Sequence, residues 1–327
     1  MFRRKPKYFY KLNIIAYILL PLSIVYYIVF LLANIRFRKA KRLAKKTICI
    51  GNVVVGGTGK TPICLEIGRF LNEKKANFCY ITKGYGRSNE ENVIIPKQHY
   101  KLFDYKQTGD EPLLLSNEGD VFVVDKREKT KCTGYDYAIF DDGFFDKSVK
   151  KDLQIAVFDG DFFVGNGCLL PVGPLRFGLS ALSKADFVII TNPQEDKIDK
   201  QIALLSNFIS RYRILQAHLE VKSKLDKNLK YVAFAGLGSN EKFFKTAEKS
   251  GLNVVKTISF EDHIDYTKAH IDRLMKVLKS VKADKFLTTS KDFVKLNDVI
   301  ANKTDVLEIG YTIENIERIF EIVNNGK

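Results

Sequence analysis

The sequence predicts an α/β protein: a mostly parallel sheet, a second and smaller α/β domain, and an N-terminal membrane-associated helix. Three observations carry this. A 24-residue uncharged run opens the chain at 12–35. A glycine-rich turn at 56–59 stands between an apolar β-rich run and an amphipathic helical segment. Short apolar runs near 47–55, 78–83, 121–125, 135–141, 153–159 and 187–191 then alternate with helical or loop segments, as parallel sheets require.

The composition fits this class. The chain has 327 residues, 46% hydrophobic and 28% charged, which excludes a disordered, collagen-like or polytopic membrane protein. Its formal charge is +15, but residues 1–46 carry twelve basic and no acidic side chains, leaving +3 on the rest. A nucleic-acid binder spreads basic surface over its folded body, so no nucleic-acid partner is expected, and no obligate protein partner is indicated. The five cysteines form no CxxC pair, and Cys49, Cys64 and Cys79 lie in apolar runs as small hydrophobes, which suits a reducing compartment.

At about 1.5 Å per residue the run at 12–35 is long enough to cross a bilayer core of roughly 30 Å. Pro21 is expected to kink it. Five basic residues precede it and seven follow, so the flanks are nearly balanced and both a full span and a helix lying in one leaflet fit. No small-residue cleavage site follows the run. Either arrangement brings the chain to an anionic membrane surface.

The segment TICIGNVVVGGTGKTP (47–62) reads as strand, glycine-rich loop, helix. Such a loop turns backbone N–H groups toward phosphate oxygens beside a helix N-terminus. Gly56, Gly57, Thr58, Gly59, Lys60 and Thr61 are therefore the candidate nucleotide-binding residues. Lys60 reaches for the β- and γ-phosphates, and Thr61 carries the hydroxyl for Mg²⁺. The match to G-x-x-x-x-G-K-[ST] is not strict, since its first glycine falls on Val54. YDYAIFDDG (135–143) supplies the apolar strand ending in acids, so Asp141 and Asp142 are the other metal candidates. The whole is phosphate-loop NTPase-like. No [NT]-K-x-D segment is present to read guanine; TNPQED (191–196) and TTSKD (288–292) both miss that spacing. A membrane-associated ATPase acting as a switch or motor subunit is the alternative; Val55, where such ATPases carry lysine, counts against it.

Eight blocks follow in order: CIGNVVVGGTGKTP (49–62), TKGYGRS (82–88), GDEP (109–112), DDGFFD (141–146), GNGCLLPVGPLR (165–176), FAGLGSNEKFF (234–244), DHIDYT (262–267) and SKDFVKL (290–296). Together they resemble the tetraacyldisaccharide 4′-kinases of lipid A synthesis. The resemblance implies transfer of the ATP γ-phosphoryl group to the 4′-hydroxyl of an acylated disaccharide 1-phosphate, with Mg²⁺, at the cytoplasmic face of the bacterial inner membrane. It implies Asp110 as the base that accepts the hydroxyl proton and His263 as its partner; Asp110 also suits a helix start. The Gly/Pro-rich loop GNGCLLPVGPLR is expected to line the acceptor site, with the planar fork of Arg176 available to a phosphate or sugar oxygen, and Tyr85 and Arg87 of KGYGR are further candidates for contact with nucleotide or acceptor. Phe145, Asp146, Phe177 and Ile264 depart from the family pattern, so no role is carried to them.

The expected organisation is an anchor at 1–46, a kinase domain at 47–210, a strand-rich connector at 211–229 and a C-terminal α/β domain at 230–327. Asp110 and His263 then fall on opposite domains, and closure of the cleft would assemble the site.

Overall fold

The computed structural model describes residues 6–34, 40–88, 91–237, 240–262 and 264–325. Thirteen strands run along them: β1 (Lys46–Gly51), β2 (Phe78–Thr82), β3 (Val93–Ile95), β4 (Asp120–Val123), β5 (Tyr137–Asp141), β6 (Leu153–Asp159), β7 (Phe187–Thr191), β8 (Ile214–Val221), β9 (Lys230–Ala235), β10 (Asn253–Ser259), β11 (Lys285–Thr288), β12 (Thr304–Val306) and β13 (Ile309–Ile313). The first sheet has nine strands in the order β13-β8-β7-β6-β1-β5-β2-β4-β3, and the second has four, β10-β9-β11-β12. All pairings are parallel except β3 with β4 and β8 with β13, at the two edges of the large sheet.

The inner strands are apolar on both faces because both faces are covered. Ile48 and Ile50 of β1 pack under the helix Lys60–Glu73, whose Ile63, Cys64, Ile67 and Leu71 recur on one face and are buried. β1 lies between β5 and β6, and Ile50 stands opposite Asp141 in the register with β5. The glycine loop after β1 and the acids ending β5 therefore emerge side by side, at the carboxyl end of the sheet where α/β proteins bind ligands.

The second unit differs from the expected 230–327. β8 lies inside the segment expected to be a connector, yet it pairs with β7 and buries Leu215 and Ala217 in the main core. β13 and the helix Glu317–Asn325 return to the large sheet as well, with Phe320 stacked on Phe70 at 4.6 Å. The smaller unit proper is β9–β12 with its helices. The strand character of the 211–229 segment is legible, but the pairing of β8 with β7 and the sequence-distant return of β13 leave no local signal, which explains the difference.

The helix Ile14–Asn34 contains Pro21 without losing helical continuity. Most of its apolar side chains face outward, with Ile14 at 76% and Ile18 at 71% exposure. Ser23 Oγ donates to the carbonyls of Leu169 and Leu170, each at 3.0 Å. Tyr26 Oη donates to the Arg176 carbonyl at 3.1 Å.

Candidate active site

The phosphate loop is braced from inside. Asn52 donates to the Val54 carbonyl at 2.5 Å and to Thr58 Oγ1 at 3.3 Å. Val55 N–H donates to the Pro174 carbonyl and Arg176 N–H to the Val53 carbonyl, each at 2.8 Å, which ties the loop to the glycine- and proline-rich segment before Arg176. Thr58 is 2% exposed with its side chain turned inward, so its contribution to a ligand is its backbone N–H. Gly59 caps the helix at φ +84°, and a Cβ there would come within 3.1 Å of the Tyr311 ring, so the position needs glycine.

Thr61 Oγ1 donates to Asp141 Oδ2 at 3.0 Å. Asp141 is 4% exposed and its other oxygen, Oδ1, has no hydrogen-bond partner among the described residues. Burial pushes its carboxyl above the usual range, against the pull of Lys60. Asp142 takes a left-handed conformation at φ +56° and lies between two cations, 3.8 Å from Lys60 Nζ and 3.7 Å from Arg176 Nη1. The two acids thus differ: Asp141 points inward beside Thr61, and Asp142 faces the cations at the mouth.

Three residues that the sequence reading missed complete this corner. Arg127, 3% exposed, donates to the carbonyls of Asp141 (2.7 Å) and Asp142 (3.0 Å) and fixes the turn between them. Glu111 is pushed up to about 7, first by burial and then by the charge of Asp141. Lys295, whose side chain is 1% exposed, places Nζ 3.3 Å from Asp110 Oδ2, with Lys291 Nζ at 3.5 Å. Arg127 and Lys295 lie outside the sequence blocks that hold the groups they touch.

Asp110 is 5% exposed in the first turn of the helix Asp110–Leu115, and its Oδ1 accepts from the Glu111 N–H at 3.0 Å. His263 lies outside the described residues. Its neighbour Asp265 reaches the same region: it accepts from Tyr105 Oη and pairs with Lys106 at 2.7 Å, so the small unit meets the large one beside GDEP. The turn holding Tyr85 packs on Gly109, whose φ is +87° and whose Cβ would stand 3.1 Å from the Tyr85 carbonyl. Tyr85 is 67% exposed, and Arg87 Nη1 donates to the Glu91 carbonyl at 2.6 Å. Among the departures, Asp146 accepts from the backbone N–H and hydroxyl of Ser148 and faces Arg127. Phe145 and Phe177 pack on each other. Ile264 closes against Gly236.

A cavity of about 470 Å³ opens beside the site between the two units, lined by Thr61, Leu65, Glu111, Phe243, Lys291 and Tyr311 among others. The buried Asp141 carboxylate with its free oxygen, the half-buried Glu111 and the Thr61 hydroxyl suit a hard divalent cation such as Mg²⁺. Mg²⁺ takes oxygen ligands and completes its shell with phosphates and water.

The sequence model of one family, described as tetraacyldisaccharide-1-P 4′-kinase, matches residues 15–324. The chain belongs to this family. A tetraacyldisaccharide 4′-kinase of Rickettsia bellii is 33% identical over 324 residues, covering 97% of this chain and 96% of that protein. One of Rickettsia peacockii is 34% identical over 303 residues, 91% of each. A crystal structure of LpxK from Aquifex aeolicus in complex with ATP superposes with a TM-score of 0.73 at 23% identity, over 95% of this chain and 99% of that one. The shared fold is the α/β architecture described above. Membership in the tetraacyldisaccharide 4′-kinase family makes the chain a kinase and sets aside the switch or motor ATPase.

Proposed function

We propose that the chain transfers the γ-phosphoryl group of ATP to the 4′-hydroxyl of a tetraacyldisaccharide 1-phosphate, giving a bis-phosphorylated lipid A precursor. The observation that carries the reading is the bond from Thr61 to Asp141, which joins the phosphate loop to the acid of the neighbouring strand. That is the arrangement phosphoryl transfer with a divalent cation needs.

In this reading Gly56, Gly57, Thr58 and Gly59 present backbone N–H groups to the phosphates, and Lys60 neutralises charge on the transferred group. Thr61, Asp141 and Glu111, with Asp142 beside them, would hold Mg²⁺; when bound, the cation would neutralise charge on the phosphate oxygens. Asp110 accepts the proton of the acceptor hydroxyl, with His263 as its partner, and Arg176 receives a phosphate or sugar oxygen through its planar fork. Tyr85 and Arg87 border the acceptor side. The outward apolar face of the 14–34 helix, with its basic flanks, seats the enzyme at an anionic bilayer, the cytoplasmic face of the inner membrane, where a lipid acceptor resides.

The test is transfer of label from γ-labelled ATP to lipid, with Mg²⁺ and vesicles carrying the acylated disaccharide. Asp110→Ala and His263→Ala should each lower turnover far more than they weaken ATP binding. Near-parental turnover for either removes the proposed base pair. ATP consumption without labelled lipid removes the reaction itself.

A further inference from the structure

Serine 23, Tyr26 and Phe30 lie three and four residues apart on the 14–34 helix and so share one face. All three touch the segment that ends in Arg176 and Phe177. Ser23 holds the carbonyls of Leu169 and Leu170, Tyr26 holds that of Arg176, and the Phe30 ring lies 4.5 Å from the Phe177 ring. Phe177 packs in turn on Phe145, which is 6.2 Å from Phe30 and edge-on to it. Each of these two rings neighbours one half of the ion pair at the mouth of the phosphate loop. Phe177 follows Arg176, and Phe145 stands three residues after Asp142, which lies 3.7 Å from Arg176 and 3.8 Å from Lys60.

The other faces of the helix are apolar and exposed, with Ile14, Ile18, Leu32 and Val29 among the most exposed large apolar side chains of the described residues. A helix so divided has one face for a bilayer and one for the protein. Aromatic rings transmit position well, because a ring pair has a narrow range of favourable geometries and two torsions per side chain. Shifting Phe30 must move Phe177, and with it the backbone that carries Arg176.

We propose that Phe30, Phe145 and Phe177 are positioning residues that couple the seat of the helix in a membrane to the alignment of Arg176 and Asp142. Acceptor use, but not ATP binding, then depends on this aromatic contact. The inference rests on the proposed transfer to a bilayer-borne acceptor. It assigns to Phe145 and Phe177 a role in bringing acceptor and phosphate loop into register, without contact to the reacting atoms.

The experiment uses the full chain in anionic phospholipid vesicles carrying the acylated disaccharide 1-phosphate. It compares the parent with Phe30→Ala, Phe177→Ala, the double variant and Phe177→Leu, and reads lipid kinetics alongside displacement of a fluorescent ATP analogue. Each alanine variant should lower kcat/KM for the lipid by about tenfold, the scale of one lost aromatic pair, while ATP affinity stays within about twofold. The double variant should lose no more than the worse single one, since both break the same contact. Phe177→Leu should recover most of the loss. Retained ATP binding shows that the variants are folded. Parent-like lipid kinetics in the alanine variants, additive losses, or equal losses in lipid and ATP parameters would each overturn the coupling. A parent that consumes ATP without labelling lipid overturns the functional reading instead, and the coupling with it.

Discussion

Lys295 Nζ lies 3.3 Å from Asp110 Oδ2, although the two residues are carried by different units. Both are almost fully buried, and Lys291 approaches the same oxygen at 3.5 Å. An ammonium this deep exists because a carboxylate is there to pair with it. Because Lys291 and Lys295 follow β11 of the small unit and Asp110 stands in the large one, the pair locks the two units together at the proposed base.

Lys295→Met keeps the volume of the side chain and removes the charge. It should lower kcat by about tenfold to a hundredfold, the range seen when a supporting partner of a catalytic group is lost, with little change in ATP affinity. The stability loss should reach at most about 3 kcal/mol, the low end for a broken buried pair, because Lys291 remains. Lys295→Arg should not restore turnover, since a planar fork does not fit where a single ammonium is 1% exposed. Steady-state kinetics and urea unfolding check both; full activity in Lys295→Met would show that Lys291 alone orients Asp110.

Asp141→Asn should raise the melting temperature of the ligand-free protein while abolishing Mg²⁺-dependent transfer. Burial already disfavours the charged form of Asp141, and a neutral isostere removes that cost while its carbonyl still accepts from Thr61. The activity loss should exceed the ~10–100-fold typical of outer partners of a metal. An unchanged or lowered melting temperature would mean that the buried charge is compensated without a cation.

Glu111 gives the chain a pH dependence of stability with a definite sign. Its carboxyl sits at about 7 in the folded chain, because of burial and the nearby Asp141, with Lys291, Asp110 and Lys60 also facing it. Unfolded, it titrates near ~4.3. Between those values the folded state holds a proton that the unfolded state has lost, so stability falls as pH rises through the window, by up to about 4 kcal/mol. Glu111→Gln should flatten that fall, leaving what Asp141 contributes with the same sign. Urea midpoints for both proteins at about pH 5 and about pH 8 measure it.

What could be read from the sequence was what is written locally. The loop from Gly56 to Thr61 and the acids after β5 announce themselves by spacing, and six of the parallel strands by continuous apolar runs. Their adjacency follows from strand order alone, which puts Ile50 opposite Asp141. Contacts that depend on the folded chain left no such mark. Arg127 lies in a polar stretch and looks like surface, yet it is 3% exposed. Glu111 follows Asp110 as an ordinary helix-start acid, and Lys295 reads as one lysine among many. β8 alternates buried and open positions as an edge neighbour does, which resembles a connector, and β13 pairs with it from about ninety residues away.

Arg127 and Asp142 make the sharpest case of long-range control over the site. Asp142 holds a left-handed backbone conformation, which costs a non-glycine residue about 1–2 kcal/mol. Arg127 keeps it there by donating to the carbonyls on both sides of the turn, while its guanidinium lies 5.4 Å from the centre of the Phe140 ring. Arg127→Ala leaves two carbonyls without their charged donor and should cost about 3 kcal/mol. Arg127→Lys should recover only part of this, because a point charge cannot bridge both carbonyls as the fork does. Asp142→Gly relieves the backbone strain but removes the partner of Lys60 and Arg176, so it should gain stability and lose transfer. The combination is then diagnostic. If Arg127 acts by holding a strained turn, Asp142→Gly in the Arg127→Ala background should restore more stability than it adds to the parent, since a relaxed turn no longer needs the clamp. Urea unfolding of the four proteins measures this coupling, and strictly additive stabilities would show that Arg127 and the conformation of Asp142 are energetically independent.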